Sequence, residues 1–437
     1  MRYWTITNKT GRFWAVCVCL FLLVNLREAR AQIGVLSPYS ALGVGREVPY
    51  LNARSMGMGG IAVGLAGHRE ATPLNPASYY RGVDTLSVMF DIGFYLNMNS
   101  LRQDVDGQAL RNQSTGGGLG NMEFYFPVFK WWKMGVYLLP YTEVAYSTTD
   151  IRSRDDAHIG LTRMVHEGTG GLNRFGWGNA FGWGPVSVGI NLNYQFGSIE
   201  EVYTLAFQND SLTSGAAGSH VLTATRLNGL AIDVGLQYAQ PLRHGHLSIG
   251  ASYSLSTTMY AKRGTSGSAY YTYAAKDTAF FVPRRKGEVV IPGKLQVGVS
   301  YDDHSDWLVG VDFTYAWWSQ YKEYGETYDY FRNTFRVAAG MELKPNYQSA
   351  SAMRRVAYRL GGRYETYYAD FGQRNLFGYA VNLGVGIPVR RSRSMINVGL
   401  EYGHVGRLKV GQIAENYFKI GVGFSSVETW FVKRKYD

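Results

Sequence analysis

Apolar and polar residues alternate one by one along most of this chain. Between residues 186 and 196, every second residue is Val, Ile, Leu, Tyr or Phe, and the residues between them are Ser, Gly, Asn and Gln. A period of two places the apolar residues on one face of an extended strand, whereas a helix would space them by three and four. The same alternation recurs at Leu230–Tyr238, Leu247–Leu255, Leu295–Tyr301, Val309–Tyr315, Val381–Ile387, Ile396–Tyr402 and Phe418–Phe424.

The polar residues on the second face suit a wet lumen better than the packed second face of a soluble sandwich. An open sheet edge in lipid would leave N–H and C=O groups unpaired, so a membrane sheet has to close, with an even strand number in single-chain bacterial barrels. Residues 85–437 are therefore predicted to form an all-β, transmembrane antiparallel β-barrel of about 14 strands. The predicted strands are 85–97, 118–128, 132–147, 171–183, 186–207, 220–239, 246–261, 291–302, 306–317, 333–344, 355–368, 374–388, 394–403 and 416–433.

The connections between these strands alternate in length. Those after even-numbered strands are short, such as 129–131 and 184–185, and most of those after odd-numbered strands are long. Outer-membrane barrels have short periplasmic turns and long external loops, so we expect both termini in the periplasm. The predicted long loops are 98–117, 148–170, 262–290 and 318–332. Aromatic pairs near strand ends, such as Trp131-Trp132 and Trp317-Trp318, are typical of interfacial girdles.

The first 31 residues have the order of a secretory signal peptide. Basic residues come first, an apolar run covers 13–26, and Ala29 and Ala31 supply the small residues of a cleavage site before Gln32. The apolar run is shorter than the ~20 residues that a membrane-spanning helix needs. Cys17 and Cys19 are the only cysteines, so the mature chain would contain no disulfide, zinc-thiolate site or catalytic cysteine.

Composition and charge agree with a membrane barrel. The chain has 53 Gly, 33 Tyr, 21 Phe and 10 Trp, with a mean hydropathy of −0.17. The formal charge is +11, of which the leader accounts for +4. The remaining surplus is modest and scattered, which argues against a nucleic-acid surface and allows attraction to anionic outer-membrane lipids and lipopolysaccharide. The basic stretch 283–286 is a hypothetical lipopolysaccharide contact within a predicted external loop.

Residues 32–84 differ in kind from the rest of the chain. The segment is Gly-rich, lacks the long alternating pattern and is too long for a flexible tail. It could be a periplasmic extension. Because a barrel of this size would otherwise leave a pore, we expect a hatch or plug folded into the barrel base.

This segment contains two motifs in a fixed order. Residues 56–64 read Met-Gly-Met-Gly-Gly-Ile-Ala-Val-Gly, and Asn75-Pro76-Ala77 follows about ten residues later, just before the first strand. This order of motifs resembles the FadL family. Members of that family are outer-membrane transporters of long-chain fatty acids and aromatic hydrocarbons. In that family, a hatch with an Asn-Pro-Ala motif blocks a 14-stranded barrel, and substrate is thought to leave sideways through the wall. The resemblance implies that Asn75, Pro76 and Ala77 are hatch residues. The amino-acid sequences near both termini also resemble those of barrels of the Bacteroidetes.

The resemblance implies passive uptake of small hydrophobic molecules in the outer membrane of a Gram-negative bacterium. An alternative is a cargo-shuttle or assembly role, because the type IX secretion system contains FadL-like barrels and would supply secretion-system proteins as partners. A barrel enzyme ranks last. The eight His are dispersed, His244 and His246 lie in a predicted turn without a third ligand nearby, and no Ser, His and acid arrangement is apparent. No cofactor, metal site or catalytic residue is expected.

Overall fold

The computed structural model describes residues 34, 36–49, 52–67, 70–105, 107–153, 161–207, 218–270, 277–303, 306–346, 349–369, 376–389, 394–407 and 413–430. The predicted signal peptide, 1–31, lies outside these residues. Among the described residues, no helix is both long enough and apolar enough to cross a membrane.

Fourteen wall strands form a closed antiparallel barrel. Each strand pairs with its neighbour in the chain, and the last strand pairs with the first from Thr429 opposite Ser87 to Ile413 opposite Gln103. The wall strands are β1 (Ser87–Val105), β2 (Gln108–Phe129), β3 (Trp132–Ser153), β4 (Leu161–Trp183), β5 (Val186–Phe207), β6 (Gly218–Leu242), β7 (Gly245–Ser254 and Thr257–Tyr270), β8 (Asp277–Ile291 and Lys294–Asp302), β9 (Trp307–Ala316), β10 (Thr334–Leu343), β11 (Ala357–Thr366), β12 (Phe377–Pro388), β13 (Met395–Gly406) and β14 (Ile413–Thr429). The predicted barrel is confirmed, and each of its strands overlaps one predicted strand.

Several short elements complete the chain. Before the wall come the helices α1 (Ala53–Met56) and α2 (Tyr79–Gly82) and a two-residue strand, Arg46–Glu47. A small hairpin, Lys322–Glu323 and Glu326–Thr327, follows β9. Short 3-10 turns are at Pro38–Ser40, Pro76–Ser78, Trp318–Gln320 and Met353–Arg355.

In the wall strands the apolar side chains are exposed and the polar side chains are buried, which is the reverse of a soluble protein. In β5, the six alternating apolar side chains from Val186 to Phe196 are 36% to 46% exposed, whereas Ser187, Asn191 and Asn193 are fully buried. Apolar surface of this extent would be unfavourable in water by ~25 cal/mol per Å² and is satisfied by lipid. The polar face therefore points into the lumen, as the alternation predicts.

The predicted loop lengths are wrong at three of the long connections. Much of the predicted loop 98–117 is strand, since β1 continues to Val105 and β2 begins at Gln108. Strand residues likewise enter the predicted loops 148–170 and 262–290 from both sides. Alternation of apolar residues stops where the lipid stops, but backbone pairing continues beyond it. Arg102, for example, lies opposite Arg111.

Candidate functional site

The segment before β1, residues 36–84, contacts the inner face of the wall. Asn75 lies within it and is fully buried. Its side-chain oxygen accepts a hydrogen bond from the backbone N–H of Ala77 at 3.1 Å. Its side-chain nitrogen donates to the carbonyls of Val63 at 3.0 Å and Leu236 of β6 at 3.3 Å. Pro76 fixes the first position of the 3-10 turn that follows. Asn75 thus joins two parts of the segment to the wall.

Inward-facing polar side chains of the wall donate hydrogen bonds to carbonyls of this segment. Ser187 of β5 donates to Ala77 at 3.0 Å, and Gln237 of β6 donates to Leu65 at 2.6 Å. Asn191 of β5 binds the carbonyl of Pro73 at 2.9 Å. The segment has little regular secondary structure, so its buried carbonyls need such partners. The inward-facing polar residues of the wall strands provide these hydrogen-bond partners.

Asp312 of β9 holds the segment at a second point. One carboxylate oxygen accepts the N–H groups of Ala62 at 2.6 Å and Val63 at 2.8 Å, and the other accepts that of Gly64 at 3.3 Å. Successive backbone N–H groups that converge in this way form an anion-binding concavity. Here a carboxylate of the wall occupies that concavity.

Glycines of the wall allow the segment to lie directly against the sheet. Gly340 of β10 is opposite Gly310 on one side and Gly361 on the other. A Cβ added at Gly340 would collide with the carbonyl oxygen of Met58, and one added at Gly250 would collide with that of Val63. At these glycine positions no wall side chain separates the sheet from the segment.

Ion pairs bind the segment near the end of the barrel that has the short turns. Arg54 of α1 donates to Glu342 of β10 at 3.0 Å and to Glu70 at 2.9 Å, and Arg359 of β11 donates to Glu342 at 2.6 Å. Burial opposes the charge of Arg54, but Glu342 and Glu70 together raise the pKa of its guanidinium above the ordinary value. Burial raises the pKa of Glu70, with Arg54 opposing. The network makes removal of any one member costly.

The wall is interrupted between β2 and β3. These strands pair only from Met122 opposite Leu138 to Phe129 opposite Trp132. Within the described strands, residues 108–121 of β2 and 139–153 of β3 are not paired with each other, although each half pairs with its other neighbour. The pairing of β3 with β4 shifts register between Pro140 and Thr142, and proline cannot donate to a ladder.

Residues 36–48 of the segment occupy this interruption. Arg46 pairs with Glu143 of β3 as a short strand, and Ser37 donates its N–H to the carbonyl of Ala145 at 2.7 Å. On the opposite side, the N–H of Leu36 donates to the hydroxyl of Ser114 of β2 at 3.2 Å. The segment therefore contacts both edges of the break. The edge of β2 carries the glycines of the run 116–120.

An apolar cluster lies inside the barrel beside the break. It includes Val44 of the segment and Val144 and Tyr146 of β3, all nearly fully buried. Aromatic side chains that follow β9 and β11 complete the cluster: Trp318 stacks on Tyr368 with ring centroids 4.0 Å apart. The connection 317–333 thus folds inward instead of extending as the predicted external loop. The apolar part of the lumen is filled by the protein's own side chains.

The cavities described in the lumen have charged side chains among their lining residues. A cavity of about 680 Å³ opens at the short-turn end and is lined by Arg54, Lys133, Lys344 and other charged residues. Other cavities, toward the opposite end, measure about 40 to 60 Å³ and are lined partly by Arg46, Arg363 and neighbouring acids. Both acidic and basic side chains line each of these cavities.

The sequence singled out Asn75, Pro76 and Ala77, which are buried in the segment before β1, but it missed the wall residues that contact the segment. Asp312 and Glu342 are acidic residues at inward positions of alternating strands, and such isolated buried charges are a usable signal because they need partners. The break between β2 and β3 carries no comparable sequence signal. Among the described residues, no group of His, Cys, Asp and Glu could hold a metal ion.

Comparisons with known proteins agree with this geometry. A FadL homologue from Pseudomonas aeruginosa superimposes with a TM-score of 0.61 and 13% identity, covering 89% of this chain and 100% of that one. The toluene transporter TodX of Pseudomonas putida has a TM-score of 0.56, 14% identity and coverages of 88% and 100%. The monoaromatic hydrocarbon channel CymD has a TM-score of 0.55, 13% identity and coverages of 90% and 100%.

These likenesses show the fold. No curated protein matches the sequence. The model of the BamG family matches residues 13–437, so this chain belongs to the BamG family and folds as a FadL-type outer-membrane β-barrel.

Proposed function

We propose that this barrel lets small hydrophobic molecules, such as long-chain fatty acids or aromatic hydrocarbons, cross the outer membrane passively through the break between β2 and β3. The observation that carries the proposal is the missing pairing of residues 108–121 with 139–153, together with the segment 36–48 that fills the gap. Unpaired backbone groups in lipid are costly, so a barrel that only had to close would pair these two strands along their whole length.

The surroundings of the break suit an apolar passenger. The cluster around Val44, Val144 and Tyr146 lies on the lumen side of the break, and lipid borders the part of the break next to the exposed Met122. Moving residues 36–48 would connect the two apolar regions and would also displace Arg46 and Glu47, which line the small charged cavities beside the break. Three proteins of this fold are named as FadL-type or hydrocarbon channels, which supports the same class of passenger here.

We further propose that residues 32–84 act as a hatch, with Asn75, Pro76 and Ala77 as its rigid corner. Residues 1–31 would be a leader that is removed on export. The short-turn end, with both termini, would face the periplasm. We infer no catalytic role, because the buried polar side chains described above serve to bind the segment to the wall.

A disulfide that ties residues 36–48 to one edge of the break would test the route. Glu47 of the segment lies opposite Thr142 of β3, and residues opposite each other in an antiparallel pair have Cα atoms about 4.5–5.5 Å apart, within the range for a disulfide. A mature chain without other cysteines makes the engineered pair unique. In Glu47→Cys/Thr142→Cys, uptake of labelled fatty acid or toluene into proteoliposomes should stop on oxidation and return on reduction.

The matched control is a disulfide where the wall is intact. Val385 of β12 lies opposite Val398 of β13, and Val385→Cys/Val398→Cys should transport equally in both redox states. Equal uptake by the oxidised and reduced Glu47→Cys/Thr142→Cys protein would overturn the proposed route.

A second candidate is a protein secretion or assembly role, as in FadL-like barrels of the type IX system. The observation that favours it is the filled lumen: the apolar cluster is occupied by Trp318, Tyr321 and Phe331, and charged side chains line the cavities. This candidate predicts no uptake by the reduced protein in proteoliposomes. It also predicts a stable complex with secreted cargo that carries a sorting domain. Uptake without such a complex would exclude it.

A further inference from the structure

Four basic side chains form a cluster on the outer surface of the barrel, on strands that are distant in sequence. Arg226 of β6 lies opposite Lys262 of β7, and Lys262 lies opposite Lys286 of β8. Arg284, two residues before Lys286, shares its face of β8. All four are exposed. The sequence suggested a loop at 283–286, but these residues belong to a wall strand, and pairing brings Arg226 and Lys262 alongside them.

This basic row lies at the edge of the apolar belt. Below it on the outward faces are Tyr260, which is 65% exposed, and Leu230, which is 74% exposed. From Leu247 to Tyr260 the outward face of β7 spans roughly 33 Å along the membrane normal, at about 3.3 Å per residue and a tilt of about 40°. That distance slightly exceeds the ~30 Å hydrocarbon core of a bilayer, so Lys262 lies at the level of the lipid head groups.

The described residues neutralise only part of the charge of this row. Within the described residues, none of the four side chains forms an ion pair within 4 Å. Glu200 of β5 and Glu288 of β8 are exposed on the same surface, diagonally from Arg226 and Lys262, and they leave a net positive charge. Like charges directly opposite each other destabilise a sheet. An anion bound across the three strands would relieve this repulsion.

We propose that Arg226, Lys262, Arg284 and Lys286 bind the phosphate of a phosphorylated glycolipid in the outer leaflet. A phosphate offers several charged acceptor oxygens, which suits cations that converge from three strands. A lipid is favoured over a soluble anion because the row borders the apolar belt on the lipid-facing surface, where Tyr260 and Leu230 can contact acyl chains. The inference rests on the orientation proposed above and is independent of transport.

The test measures lipid retained by the purified protein. The full mature chain is reconstituted in nanodiscs with a bisphosphorylated lipid A or with the same glycolipid after phosphatase treatment, re-extracted into detergent, and analysed by native mass spectrometry. The protein should retain the phosphorylated form. Arg226→Gln/Lys262→Gln/Lys286→Gln should retain at least tenfold less. A matched control, Lys130→Gln/Arg243→Gln/Arg354→Gln, removes three exposed cations near the short-turn end and should retain as much as the parent.

Further arms separate the alternatives. The charge-conserving Arg226→Lys/Lys262→Arg/Lys286→Arg should retain the lipid, and heat-modifiable gel migration confirms that each variant is folded. The proposal would be overturned if Arg226→Gln/Lys262→Gln/Lys286→Gln retained as much phosphorylated lipid as the parent protein. It would also be overturned if the parent retained the two glycolipids equally. Displacement of the lipid by inorganic phosphate at equal concentration would instead identify a small-anion site. Hydrocarbon uptake by the Gln triple should be unchanged, so failure of this proposal is distinguishable from failure of the proposed function.

Discussion

Replacing Asp312 by Asn should release the segment from the wall without unfolding the barrel. The carboxylate accepts two strong hydrogen bonds, from Ala62 at 2.6 Å and Val63 at 2.8 Å, and a weaker one from Gly64. A hydrogen bond to a charged group contributes about 1.5–3 kcal/mol. Asn keeps one side-chain oxygen that can accept from Ala62 and Val63, but bonds to a neutral amide are about half as strong as bonds to a carboxylate. Docking is therefore weakened by about 1.5–3 kcal/mol, on the order of ten- to a hundredfold in the ratio of docked to released segment.

Trypsin cleavage after Arg54 reports this equilibrium, because Arg54 is paired and partly buried in the docked segment. Cleavage in Asp312→Asn should be on the order of ten- to a hundredfold faster when opening is fast relative to proteolysis. The control Asp329→Asn changes an exposed carboxylate and should be cleaved at the parent rate. Heat-modifiable migration should be normal in both. Equal cleavage rates in a folded Asp312→Asn barrel would refute the reasoning that this carboxylate holds the segment.

Three further changes follow from the same contacts. Gly340→Val should also speed cleavage of the segment, because the new side chain would collide with Met58. Cleavage as slow as in the parent would show that the wall shifts to make room for the side chain. Asn75→Ala should weaken docking by about 2–4 kcal/mol through three lost hydrogen bonds, measured as loss of amide protection in hydrogen exchange. Trp318→Ala removes the ring stacked on Tyr368 and should lower stability by about 3–5 kcal/mol, while toluene added during thermal melts should restore part of it by filling the cavity.

The sequence alone determined the class of fold, the number of strands and which face of each strand meets lipid. The physical reason is that a bilayer imposes one simple rule on every wall strand: apolar outward and polar or small inward, with a period of two. In β5 this rule can be read directly from Val186 to Phe196. The Asn-Pro-Ala motif likewise located a buried corner, since Asn75 and Pro76 constrain the backbone locally.

Only the tertiary structure decided where strands end and what they meet. The predicted loop 98–117 is largely strand because ladder hydrogen bonds do not need apolar side chains, so the alternation stops before the pairing does. The connection 317–333 folds into the lumen because its aromatic rings find Tyr368 there, a partner that lies far along the chain. The partners of the segment, Asp312 and Glu342, are also remote in sequence.

The break between β2 and β3 and the basic row are both properties of register. Whether residue 121 continues to pair with β3 depends on the course of the backbone at Pro140 and on the segment that takes the vacant edge. Arg226, Lys262 and Lys286 become neighbours only when three strands align. The alternation of apolar and polar residues is a local property of consecutive residues. Register, in contrast, depends on pairing between residues that are far apart in the sequence.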